Sequence, residues 1–113
     1  YEIDCFWSTN LGVEDPVKML KLFAKDTILL HMKDGVSQQA VGGKAMVNGI
    51  LERKVELMPL GTGTLPIKEL VAAAPAQVEA IVVELDFCNI DMFTAIEQSY
   101  KFMTQNGLAA GNK

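Results

Sequence analysis

Three short apolar segments, each running into ionisable side chains, limit what this chain can fold into. They are Tyr1 to Trp7 (YEIDCFW), Thr27 to Asp34 (TILLHMKD) and Ala80 to Asp86 (AIVVELD). Each is rich in β-prone residues and reads as a strand. The segments between them carry helical spacing. Strands alternating with helices predict an α/β fold, a parallel sheet covered by helices. The runs Ile28 to Leu30 and Ala80 to Val83 are continuous rather than alternating, as expected for strands buried on both faces.

In the first segment, alternation places Glu2, Asp4 and Phe6 on one side and Ile3, Cys5 and Trp7 on the other. Residues 8 to 14 read as a polar connection. Asp15-Pro16 is a helix start, since Asp15 can accept from the free N–H groups of the first turn and Pro16 suits the first helical position. Val17, Leu20, Phe23 and Ala24 form the apolar face of that helix. The stretch from about 35 to 64 reads as a long loop or insertion. Within it, Met46, Val47, Ile50 and Leu51 have helical spacing interrupted by Gly49, Val55 to Leu60 suggests a short extended piece, and Gly61 to Thr64 is a turn. A helix follows from about Leu65, with Thr64 as a possible cap, Pro66 in its first turn and Pro75 after its end. The last helix is capped by Asn89 or Asp91, presents Phe93, Ile96, Tyr100 and Met103, and closes at Asn106-Gly107.

The functional signal is where these strands end. In a parallel sheet the C-terminal strand ends come together, and catalytic or ligand-binding groups collect there. The three segments deliver Asp4, His31 and Glu84 to that end. Two carboxylates and an imidazole make a hard donor set suited to a divalent ion such as Mn, Mg, Co or Zn. Such an ion can hold adjacent oxygens of a sugar, and a carboxylate beside it can move a proton from carbon. The competing explanation is structural: Asp4 and Glu84 merely end strands, and His31 is a hydrogen-bonded interior residue.

Composition narrows the partners. Fourteen acidic residues against 10 basic give a net charge of −4, without a basic cluster, which argues against a nucleic-acid partner. No apolar run approaches the roughly 18 residues of a membrane span. Cys5 and Cys88 do not form a disulfide framework, and two thiols among six methionines suit a reducing, cytoplasmic setting. Tyr1 stands at the edge of a strand pattern with no lead-in, so the chain is expected to be part of a longer protein.

The pieces DCFW (4–7), LLHMKDG (29–35), LMPLGTGTL (57–65) and VVELD (82–86), followed by Asn89 to Tyr100, resemble the C-terminal part of sugar phosphate isomerases/epimerases, the xylose isomerase-like TIM barrels. The resemblance covers nearly the whole chain in order, apart from an insertion at about 36–55. It implies that residues 1–113 are the last three βα units of a (β/α)8 barrel. It implies a divalent metal held by Asp4, His31 and Glu84, with a further Glu from a preceding strand, and Glu84 as one of two acid/base residues. It also implies that Trp7, Lys33 and Asp34 line the substrate pocket. Relatives commonly show Glu-Gln-Asp where this chain has Glu84-Leu85-Asp86.

Several smaller expectations follow. Asp86 either supports a metal ligand or caps the following loop. The turn at Gly61 to Thr64 stands before a helix and is a second-choice phosphate cradle. The insertion is a lid or a subunit contact. The expected activity is a metal-dependent isomerase/epimerase acting on a sugar or sugar phosphate, inactive without the rest of its barrel. A dehydratase or lyase of the same fold is one alternative. A non-catalytic partial barrel that self-associates, pairing with another copy, is the other.

Overall fold

The three segments singled out above do pair with one another, and everything else is arranged around them. A computed structural model describes residues 1–12, 14–36, 46–47, 50–51 and 55–111. In chain order it contains β1 (Glu2–Asp4), α1 (Cys5–Gly12), α2 (Pro16–Leu22), a 3-10 turn (Ala24–Asp26), β2 (Leu29–Met32), β3 (Asp34–Val36), β4 (Met46–Val47), β5 (Ile50–Leu51), β6 (Glu56–Met58), α3 (Ile67–Ala73), β7 (Ala80–Val83) and α4 (Met92–Gln105). Strands β1, β2 and β7 form a parallel sheet in that order. The α/β expectation therefore stands at the level of a three-stranded parallel sheet, with a small antiparallel β3–β6 pair beside it. The described strands form an open sheet and do not close into a barrel.

Register fixes which side chains share a face. Ile3 lies opposite Leu30, which lies opposite Ile81, and Met32 opposite Val83. These residues belong to or pack on the core cluster of Cys5, Leu20, Leu60, Ile67, Leu70 and Met103. Side chains alternate along a strand, so Glu2, Asp4, Leu29, His31, Ala80 and Val82 share the other face. Among the described residues nothing fully covers that face, and Val82 is 37% exposed. The continuous apolar runs therefore bury one face rather than both.

Three elements differ from the sequence reading. The first strand stops at Asp4 and a helix begins at Cys5, where a strand to Trp7 was expected. The cause is local: Asp4 Oδ1 accepts from the N–H groups of Phe6 (3.0 Å) and Trp7 (2.8 Å), a cap that outweighs the β preference of an aromatic run. The second strand ends at Met32; after Lys33 the chain enters β3, which pairs antiparallel with β6. Met46, Val47, Ile50 and Leu51 form two short antiparallel strands instead of a helix, in keeping with their β-branched members and Gly49. The remainder of the expected lid or subunit contact, residues 37–45, 48–49 and 52–54, lies outside the described residues, including Gly42-Gly43.

The helices follow their caps. Asp15 Oδ1 accepts from Val17 and Lys18, with Pro16 at the first position, and Leu20 is buried; Phe23 ends the helix and is exposed. Helix α3 starts after Pro66, while the Thr64 hydroxyl donates to the Gly35 carbonyl instead of capping it. Asp91, not Asn89, caps α4. The expected face of α4 is turned outward except at Met103: Phe93 is 83% exposed, and Ile96 and Tyr100 are also exposed. The buried stripe is Ala95, Ser99 and Met103. The small side chains permit close approach, and Ser99 Oγ accepts from Leu60 N–H while donating to the Ala95 carbonyl. No helix among the described residues is long and apolar enough to cross a membrane.

Asp34 organises the second half. It is fully buried, with Oδ1 accepting from the N–H groups of Gly35 and Leu65 and Oδ2 from those of Gly61 and Gly63, all at 2.8–3.0 Å. Asp34, expected to line the substrate pocket, has both oxygens engaged in holding the loop before α3. The N–H groups of Gly61, Gly63 and Leu65 serve this internal carboxylate, as suits the reading of Gly61 to Thr64 as a plain turn rather than the second-choice phosphate cradle. A Cβ at Gly63 would collide with Asp34 Oδ1, so the loop requires glycine there. Replacing Asp34 by Asn puts a donor against buried N–H groups. Asp34→Asn is expected to lower stability by about 3 kcal/mol, read as a lower urea midpoint by circular dichroism; an unchanged midpoint would contradict this role.

Candidate metal centre

The parallel register sets Asp4 opposite His31 at adjacent strand ends. Glu84 follows β7, its N–H donating to the Met32 carbonyl, so it continues the ladder one step and shares the face of Val82. One ligand atom from each of Asp4, His31 and Glu84 lies within 4.8 Å of the other two. The three expected ligands are thus brought together, each half-buried. Asp4 divides its work: Oδ1 caps α1, which fixes the carboxylate plane, and Oδ2 faces the cluster.

Lys33 is the centre of this group. It is 2% exposed, and its Nζ lies 2.7 Å from Asp4 Oδ2, in contact with Glu84 Oε2, and 3.5 Å from Asp86 Oδ2. Burying an ammonium is tolerable only with such pairing. Trp7 completes the enclosure: the ammonium lies 5.7 Å from its ring centroid, and its Nε1 donates to Asp86 Oδ2 at 3.2 Å. Helix α1 is what places Trp7 there. Three residues along a strand would put Trp7 on the face opposite Asp4, whereas three along a helix put it on the same side.

Glu2 was missing from the expected site. Its Oε1 lies 3.1 Å from His31 Nδ1, and Glu84 Oε2 lies 3.6 Å from the same nitrogen. A carboxylate on one ring nitrogen orients the imidazole and leaves the other for a ligand, the usual surroundings of a metal-binding histidine. The signal for Glu2 was its place two residues before Asp4 on one strand face. Asp86, expected either to support a metal ligand or to cap the following loop, accepts from Trp7 Nε1 and lies beside the Lys33 ammonium.

The donor set fits a divalent ion. Four carboxylates, Glu2, Asp4, Glu84 and Asp86, meet one ammonium and one imidazole, which leaves surplus negative charge. Asp4 Oδ2, a nitrogen of His31 and an oxygen of Glu84 would be the ligating atoms. Cys5 is no part of this set: burial first, and the Asp4 charge second, push its thiol up to about 12. Alkylation of the native protein at mildly alkaline pH is therefore expected to modify Cys88 and spare Cys5, and mass spectrometry showing two labels on the folded protein would contradict it.

Comparison with protein-family models, with curated proteins and with solved structures gives no match for this chain.

Proposed function

We propose that this chain carries the metal- and base-bearing strand ends of a divalent-metal-dependent sugar isomerase/epimerase with a TIM-barrel architecture. The observation that carries the reading is the convergence of Asp4, His31 and Glu84 within 4.8 Å at the C-terminal end of a parallel sheet. A divalent ion held there would supply Lewis-acid chemistry, anchoring vicinal oxygens and stabilising negative charge. Mn, Mg, Co and Zn all suit two carboxylates and an imidazole.

The chain's own residues supply the rest. Glu84 removes a proton from the carbinol carbon beside a carbonyl and returns it to the former carbonyl carbon, while the hydroxyl proton passes to the former carbonyl oxygen, so that Glu84 ends in its original state. Transfer between adjacent carbons on one face needs one such group, whereas inversion at a single carbon needs a second on the opposite face. Trp7 provides an apolar wall of the kind a sugar ring packs on.

A second reading, a non-catalytic module that pairs with another copy, is favoured by the sheet face that the described residues leave open at Val82. Divalent-ion titration separates the two, since only the first requires binding at the strand ends.

The catalytic reading is tested with two variants in protein that turns over an aldose or ketose. Glu84→Gln is expected to retain the fold and lose activity by roughly 10²–10⁴-fold; wild-type turnover would remove Glu84 from the mechanism. Product lacking the elements of water would replace isomerase by dehydratase. His31→Ala is expected to lower bound metal, measured by elemental analysis after dialysis, by roughly tenfold or more; unchanged occupancy would remove His31 from the ligand set.

A further inference from the structure

Two of the three residues that would ligate a divalent ion, Asp4 and Glu84, are already engaged by a cation. Lys33 Nζ donates to Asp4 Oδ2 at 2.7 Å and to Glu84 Oε2. A divalent ion bonds carboxylate oxygen at about 2.0–2.6 Å, so an ammonium that kept its hydrogen bonds to the ligating residues would stand directly beside it. The two cations repel each other strongly in a half-buried site, where solvent screens them poorly. Occupation by one therefore disfavours the present position of the other.

A second position for the ammonium is built into the same surroundings. Asp86 Oδ2 stands 3.5 Å from Nζ, and the Trp7 ring centroid 5.7 Å away. Neither residue belongs to the group able to hold the ion. Trp7 Nε1 donates to the same Asp86 oxygen, so carboxylate and ring form one tied unit. A carboxylate beside an indole face is a favourable seat for an ammonium. Lys33 thus has inner partners it would share with a metal and outer partners it would not.

We propose that Lys33 is a resident cation that exchanges with the divalent ion. In the ion-free protein its ammonium neutralises Asp4 and Glu84 and holds the strand ends together. On metal binding it gives up those oxygens and moves to Asp86 and Trp7. The exchange rests on the reading of Asp4, His31 and Glu84 as ligands. It adds that metal affinity is set against an internal competitor and that Asp86 and Trp7 tune it. Motion of a single side chain suffices, since the outer partners already border the ammonium.

The test is isothermal titration of Mn2+ into the full chain, as wild type, Lys33→Met and Asp86→Asn, with circular dichroism as the check on folding. Lys33→Met is expected to bind Mn2+ more tightly by roughly tenfold or more, the scale on which groups around the ligands move metal affinity. Asp86→Asn is expected to bind more weakly, because the displaced ammonium loses its seat. Trp7 is the chain's one tryptophan, so its emission should change when Mg2+ saturates the wild type. Folded Lys33→Met that binds Mn2+ no tighter than wild type overturns the exchange and leaves the ligand assignment standing. If Lys33→Met does not fold, the other two readouts decide: unchanged affinity in Asp86→Asn, or unmoved Trp7 emission at saturating Mg2+, overturns the exchange. Absence of binding to every variant and to the wild type overturns the ligand assignment and the exchange together.

Discussion

The structure depends on one buried ammonium. Lys33 sits where three parallel strands end, and its charge is what allows Asp4 and Glu84 to approach each other at all. Two carboxylates in a half-buried site repel, and the strand register alone does not remove that repulsion. The ammonium makes the ends compatible, Asp86 and Trp7 enclose it, and the Asp4 cap ties the same group to the start of α1. The next residue, Asp34, points the other way and pins the Gly61 to Leu65 loop. Adjacent side chains thus tie the sheet to its site on one face and to its loop layer on the other.

The division of faces explains the overall arrangement. Ile3, Leu30, Met32, Ile81 and Val83 are given to the core beneath the helices. The opposite face carries the ionisable groups and a strip of Leu29, Ala80 and Val82 that the described residues leave partly open. Open parallel sheets bind ligands beyond their carboxyl strand ends, and in a closed barrel the uncovered face becomes the packed interior. Both facts place the chemistry of this chain at the same end of the same face.

Much of this was legible because period-two alternation needs little context. Asp4, His31 and Glu84 could be assigned to neighbouring strand ends from apolar runs alone, and alternation had already put Glu2 beside Asp4. The same parity separates Asp34 from His31 and Lys33, a consequence easily passed over in favour of reading HMKD as one cluster. The failures have local causes. An aromatic run after Asp4 looks like strand, but the carboxylate caps a helix. The helical spacing of Met46 to Leu51 conflicts with Asn48-Gly49, a dipeptide favoured between paired strands; those two residues lie outside the described ones. On α4, apolar character selected Phe93, Ile96 and Tyr100, while packing selected the small Ala95 and Ser99. Close approach is a property of the partner surface and is not written in the helix's own hydrophobicity.

Anomalous diffraction from crystals of the chain equilibrated with Mn2+ decides whether this cluster holds a divalent metal. One anomalous peak is expected within ligating distance of Asp4 Oδ2, a His31 ring nitrogen and a Glu84 oxygen. A map at saturating Mn2+ with no peak there, and the Lys33 ammonium still bridging Asp4 and Glu84, would contradict the metal-centre assignment.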